Sequence, residues 1–302
     1  MVTRLTAHFD LSKGDLIEGG RYHNLNDLAG LPVEDVPDLE FSPMEPLAHP
    51  ALESGGSILD LIRAKDRLLH FPYQSYEYVI RLIQEAAADP GVEAIWISLY
   101  RVSSRSEVVK ALIKAAENGK DVLAFVEVQA RFDEELSLEW AERMELAGIR
   151  VIHGTRKIKV HAKVCLIRRR EGDTSRLYAL LATGNFNEKT ARVYADHGLM
   201  TADPRLTEEV RRVFRLLSGE DVQPDFEHLL VAPHHLRDRF NTLIDAEATA
   251  ARQGRPSGIT AKMNSLQDRG IIDKLYEASA AGVPIRLVIR GICCLRPRCG
   301  RR

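Results

Sequence analysis

The stretch EAIWISLYRVSSRSEVVKALIKAAENGKDVLAFVEVQAR (93–131) decides the fold. EAIWISLY (93–100) and DVLAFVEV (121–128) are short, nearly continuous apolar runs, the pattern of strands buried on both faces. Between them, SEVVKALIKAAEN (106–118) carries apolar residues at helical spacing, with Ser106 placed to cap its start and Gly119 just past its end. Strand, helix and strand in that order make a parallel βαβ unit. The alternation continues outward. SYEYVIRLIQEAAAD (75–89) is a helix with Ser75 at its N-cap, DEELSLEWAERMELA (133–147) is a helix, and IRVIHG (149–154) is a short strand.

Beyond residue 154 the rhythm changes. IKVHAKVCLIRR (158–169) and RLYALLAT (176–183) read as two strands of an antiparallel hairpin joined by REGDTS. ARVYADHGLMTAD (191–203) holds one more strand, and LTEEVRRVFRLLSG (206–219) is a closing helix. Residues 57–219 therefore form an α/β domain with a mixed sheet. The text then restarts, with a strand and helix over 226–254, a strand at 257–266, a helix at 268–281 and a strand at 283–291. AAENGKDVLAFVE (115–127) aligns with ASAAGVPIRLVIR (278–290) at the same offset that relates 95–99 to 258–262, an internal repeat. This second copy is expected to be incomplete, since the text runs into ICCLRPRCGRR with no counterpart of 149–219. Residues 1–55 are turn-rich and irregular, a strap or a piece of something larger.

The 302 residues are 45% apolar and 28% charged, the proportions of a globular protein of about two domains. With 42 basic and 43 acidic residues there is no basic excess, which argues against a general nucleic-acid binder and leaves room for a local basic pocket. No apolar run approaches the ~18 residues of a membrane span, and MVTRLTAHFDLSKGD lacks the apolar core of a signal peptide. Cys165, Cys293, Cys294 and Cys299 fit neither a disulfide framework nor a zinc site, so a reduced, cytoplasmic protein is expected.

The chemistry centres on Val160-His161-Ala162-Lys163. On a strand, His161 and Lys163 share one face. A lysine neutralises a phosphate oxygen, and a neutral imidazole nitrogen can attack phosphorus; the alternative is a half-exposed strand with polar residues outward. The next strand leads into Thr183-Gly184-Asn185-Phe186-Asn187-Glu188-Lys189-Thr190, where Asn185 and Asn187 offer amides and Lys189 a charge, or where the chain simply turns into a helix. Arg101 and Arg131 follow the two strands of the βαβ unit, at the carboxyl ends where open α/β sheets bind ligands. They suit forked phosphate contacts or surface salt bridges. Arg290 holds the matching strand end in the second copy. Glu127, Asp133 and Glu134 are candidates for a metal or for helix-dipole partners, and His153, His197 and His228 have no ligand-spaced neighbours.

Together GGRYHN (19–24), LYRVSSRS (99–106), QARFDEE (129–135), KVHAKV (159–164), ATGNFNEKTARVY (182–194), RPSGIT (255–260) and RGICCLRP (290–297) resemble the bacterial polyphosphate kinases. These are the ATP-dependent type with a phospholipase-D-like core. The resemblance implies a phospholipase-D-like mixed-sheet domain followed by an incomplete second copy: 1–50 a remnant of the head domain, 51–225 the first catalytic domain, 226–302 a truncated second one. It implies a reversible transferase moving the terminal phosphate of ATP to polyphosphate, with ADP as the other product, through a phosphohistidine at His161 assisted by Lys163. Tyr194 and Arg290 match ATP-binding residues. Arg101 and Arg131 match a phosphate–Mg²⁺ site, where they hold phosphates rather than the ion because a guanidinium stays protonated. ATP and polyphosphate are the implied partners, in a homo-oligomer. Little activity is expected of this chain by itself. Two other readings stand beside it: a phospholipase-D-like hydrolase using His161, and an inactive product that binds ATP or polyphosphate or completes its site with another subunit.

Overall fold

The computed structural model describes residues 2–12, 15–16, 19, 42, 44–100, 102–127, 134–154, 159–220 and 224–297. The chain divides into two compact units, Met1–Glu45 and Pro46–Arg302. In the first, VTRLTAH forms helix α1 (Val2–His8).

The second unit begins with α2 (Pro50–Glu53), α3 (Ile58–Ala64), β1 (Arg67–Phe71) and α4 (Glu77–Ala88). The expected βαβ unit is β2 (Val92–Leu99), α5 (Glu107–Glu117) and β3 (Asp121–Val126), followed by α6 (Glu134–Leu146) and β4 (Arg150–His153). The hairpin is β5 (Val164–Glu171) and β6 (Thr174–Ala182); β7 (Asp196–Thr201) and α7 (Pro204–Leu217) close the domain. Among the described residues these strands form one seven-stranded sheet in the order β1-β7-β6-β5-β2-β3-β4. β2, β3 and β4 are parallel, and β5 runs antiparallel to β2, with Ile97 opposite Cys165. The sheet is mixed, as the change of rhythm predicts.

Both faces are covered, which explains the unbroken apolar runs. Ile95 and Ile97 are 0% exposed in a core shared with α4 and α5, where Val108, Val109, Leu112 and Ala115 are also 0% exposed. Trp96 faces the other way and meets Phe214 of α7 edge-on at 6.0 Å. Truncating Ile97 to alanine in such a site costs ~2–5 kcal/mol. Ser106 caps α5 by accepting the Val109 N–H at 3.3 Å.

A third core gathers α8 (Leu236–Arg252), β8 (Ile259–Met263), α9 (Arg269–Ala280) and β9 (Ile285–Ile289). β8 and β9 are parallel and joined through α9, repeating β2-α5-β3.

Two expectations need correcting, and two elements went unread. The strand predicted over 158–169 starts only at Val164, because side chains described below take the N–H groups of Val160 and Val164. The strand expected from residue 226 is an irregular connector. The buried Glu209 carboxylate of α7 accepts the N–H groups of Glu227, His228 and Leu229 at 2.7–3.1 Å, so they are withdrawn from any ladder. α3 and β1 have no clear sequence signal: RLLHF (67–71) is too short for its period to be read.

Candidate functional site

Strand polarity assembles the site. β2, β3, β4 and β6 end at the same edge of the sheet, while β5 and β7 begin there. Residues that follow β2, β3, β4 and β6 or precede β5 and β7 are thus gathered along one rim, which is the expected carboxyl-end location.

The segment carrying His161 is bracketed on both sides. Ser98, 2% exposed near the end of β2, donates its hydroxyl to the Ala162 carbonyl at 2.8 Å and accepts the Val164 N–H at 3.0 Å. Glu127, 1% exposed just past β3, accepts the Val160 N–H at 2.9 Å. Gly154 makes room for that carboxylate, since a Cβ there would lie 2.9 Å from Glu127 Oε2. A buried side chain that accepts a backbone N–H anchors that segment, because releasing it leaves both buried groups unsatisfied.

Within the bracket, His161 is exposed and Lys163 is 5% exposed. Both reach the ring of Tyr100, although the segment that carries them precedes β5 and their burial does not alternate. The His161 ring meets Tyr100 edge-on at 4.8 Å, and Lys163 Nζ lies 4.7 Å from the same ring. Lys163 Nζ also donates to the His161 carbonyl at 2.6 Å. The neighbouring Cys165 does not compete as a nucleophile, because burial pushes its thiol up to about 12. His161 borders a cavity of about 630 Å³ walled by Phe125, Ile152 and the connector residues Leu229–His234. Glu209 places that connector through the three N–H groups already named and through His228 Nδ1 at 3.0 Å.

The Gly184–Lys189 loop turns into a short helix, one of the two readings its sequence allows. Asn187 is 8% exposed, and its Oδ1 accepts the N–H groups of Lys189 and Thr190, capping a single 3₁₀ turn at Thr190–Arg192. Glu188 reaches the start of α5, accepting from Ser103 Oγ at 2.6 Å and the Glu107 N–H at 2.8 Å. The loop is thereby tied to the segment that follows β2. Gly184 is required by a close approach: a Cβ there would lie 2.4 Å from Asp196 Oδ2. Asn185 Oδ1 is buried without a hydrogen-bond partner among the described residues, and Lys189 is exposed. Tyr194 is 54% exposed. Arg290 stands just past β9, with its Nε on Asn264 Oδ1 at 2.9 Å. Neither Tyr194 nor Arg290 lines the cavity beside His161.

Arg101 and Arg131 lie outside the described residues, as does Asp133. The described residues contain no group of three His, Cys, Asp or Glu able to hold a metal. No helix among them is long and apolar enough to cross a membrane. Sequence reasoning missed Ser98 and Tyr100 as site residues and weighed Glu127 only as a metal or dipole partner. LYRVSSRS did contain Tyr100, but nothing local marks which residues of a strand end face a distant histidine.

The fold and rim define a mixed-sheet α/β protein that presents a histidine–lysine pair beside a cavity. Residues 57–223 match the family model "Polyphosphate kinase C-terminal domain 1", and residues 229–301 match "Polyphosphate kinase C-terminal domain 2". A polyphosphate kinase of Klebsiella pneumoniae is 44% identical over 298 residues, covering 98% of this chain and 44% of the relative. That of Escherichia coli K12 is 43% identical over 300 residues, again 98% of this chain and 44% of the relative. The crystal structure of polyphosphate kinase from Porphyromonas gingivalis superposes with a TM-score of 0.81 at 45% identity, covering 93% of this chain and 47% of that one. The chain belongs to the polyphosphate kinase family. It spans less than half the length of the curated relatives it matches.

Proposed function

We propose that this chain carries the phosphoryl-accepting site of an ATP–polyphosphate phosphotransferase, with His161 as the acceptor. An imidazole nitrogen of His161 forms a bond to the γ-phosphorus of ATP as the bond from that phosphorus to the bridging oxygen breaks, and ADP leaves with the electron pair. A terminal oxygen of polyphosphate then attacks the same phosphorus, the N–P bond breaks, and the imidazole is regenerated. Each step is reversible, so the site serves both directions. Lys163 offsets charge on the transferring group. Arg101, Arg131, Asn185, Asn187 and Lys189 are assigned to the phosphate chains, and Tyr194 and Arg290 to ATP. Magnesium belongs to this reading as an ion carried on the nucleotide phosphates.

The single observation that carries the proposal is the presentation of His161: exposed at the carboxyl rim, on a segment bracketed by buried Ser98 and Glu127. A flexible surface histidine needs no such support. Division into 1–50, 51–225 and 226–302, assembly as a homo-oligomer and a cytoplasmic location belong to the same reading.

The test is the half-reaction. Incubation with γ-labelled ATP and Mg²⁺ is expected to give an acid-labile, base-stable label that maps to His161 and is absent from His161→Ala. A folded chain that takes no label refutes self-phosphorylation and leaves the binding-only alternative.

A further inference from the structure

Tyr100 is the first residue after β2, two positions beyond the serine that ties β2 to the His161 segment. Its ring meets three side chains. The His161 ring lies 4.8 Å away at 77°, Lys163 Nζ at 4.7 Å and Lys159 Nζ at 5.5 Å. The face of a phenol ring carries negative potential and attracts ammonium groups, most strongly where water is excluded. Lys163 is 5% exposed, so the groups that meet its ammonium matter more than they would at the surface. One aromatic ring therefore contacts both the proposed phosphoryl acceptor and the cation beside it.

We propose that Tyr100 is the positioning residue of the His161–Lys163 pair. Its ring, not its hydroxyl, holds the imidazole and the ammonium in one geometry, so that a phosphoryl oxygen is neutralised as the N–P bond forms. This rests on His161 being the phosphoryl acceptor, and the test separates the two ideas.

Phosphoramidate supplies a phosphoryl group without a nucleotide. The imidazole nitrogen bonds to phosphorus, the P–N bond of the donor breaks, and the protonated leaving group departs as ammonia. The 302-residue chain is treated with phosphoramidate, and in parallel with γ-labelled ATP, and label at His161 is quantified by mass spectrometry. Tyr100→Leu is expected to slow labelling by phosphoramidate about tenfold, the size of a desolvated cation–π contact, while Tyr100→Phe stays within about twofold of the parent. Stepwise fluorination of phenylalanine at position 100 keeps the ring's shape and drains its face of negative potential. It is expected to lower the rate step by step, a response that a purely structural role would not produce, and it covers the case in which the leucine variant fails to fold.

Equal labelling of parent and Tyr100→Leu, no response to fluorination, or a Phe variant as slow as Leu each overturns the proposal. So does a parent chain that phosphoramidate leaves unlabelled at His161. The predicted pattern with phosphoramidate but no label from ATP supports the positioning role and removes the kinase reading alone.

Discussion

At the two ends of the large sheet, groups of basic residues meet different kinds of partner. At the end away from His161, Arg169 lies within 3.0 Å of Asp60 and 2.8 Å of Asp89, and Glu171 receives Arg176 at 2.9 Å and the Tyr178 hydroxyl. Arg168 and Arg170 both reach Glu93. At the rim, Lys163 meets a carbonyl and a ring face, and Lys159 meets the same ring. Just past β9 in the smaller core, Arg290 is held by a carboxamide. Among the described residues, Lys159, Lys189 and Arg290 have no carboxylate partner. A cation paired with a carboxylate is already neutralised and serves the fold. A cation oriented by a neutral group, as Lys159 is by the Tyr100 ring, keeps its charge for an incoming anion.

That contrast can be broken by exchanging effects between the ends. Lys163→Gln is expected to lower the rate of His161 labelling by about 10²–10³, with a modest change in stability; rapid-quench labelling beside urea unfolding reads both. Arg169→Leu is expected to do the reverse, costing about 1 kcal/mol of stability because the partly exposed Asp60, Asp89 and Glu171 lose a shared partner, with labelling per folded molecule unchanged. A labelling defect in Arg169→Leu, or a large stability loss in Lys163→Gln, would erase the distinction.

The connector that walls the cavity supplies a pH test. Burial pushes the Glu209 carboxyl up, but the N–H groups of Leu229, Glu227 and His228 and the His228 ring pull it down further, leaving it below the usual carboxylate value. A carboxyl with a depressed folded-state value stabilises the fold above its unfolded value, and that contribution is lost as pH falls through the folded one. Glu209→Gln is expected to cost about 1–3 kcal/mol at pH 7 and to flatten the acid limb of the stability curve, measured as urea midpoint against pH. An unchanged acid limb would show that the connector is held by its apolar residues alone. A smaller effect is expected at Ser106→Ala, about 1 kcal/mol from the lost cap of α5, read by thermal unfolding. Last, iodoacetamide is expected to modify exposed Cys293 and Cys294 in the native chain and to spare Cys165, whose thiol is buried and pushed up to about 12. Peptide mapping checks this, and native-state alkylation of Cys165 would mean that the β2–β5 core opens readily.

Much of the fold was legible. β2, α5, β3 and α6 follow from apolar runs and helical spacing, and the reversal at Gly172-Asp173 follows from turn chemistry. The His161–Lys163 pair stood out because two-residue spacing has one meaning on extended backbone. Where reading failed, the cause was a distant hydrogen-bond acceptor. Glu209 converted an expected strand at 226 into a connector, and Ser98 and Glu127 delayed β5 to Val164. Glu188, which carried no sequence signal, likewise reaches a distant partner, the Glu107 N–H at the start of α5.

Apolar periodicity is a local property, carried by residues a few positions apart, so the residue string alone determined the βαβ core, β2, α5 and β3, and the faces those elements bury. Partners are a different matter. That Tyr100 lies against His161, that Glu127 catches Val160 and that Gly154 must be small for it depend on β5 running antiparallel to β2 while β3 and β4 run parallel. That arrangement forms only when segments far apart in the chain bury their apolar faces together, and it is what brings a common histidine–lysine spacing against one aromatic ring.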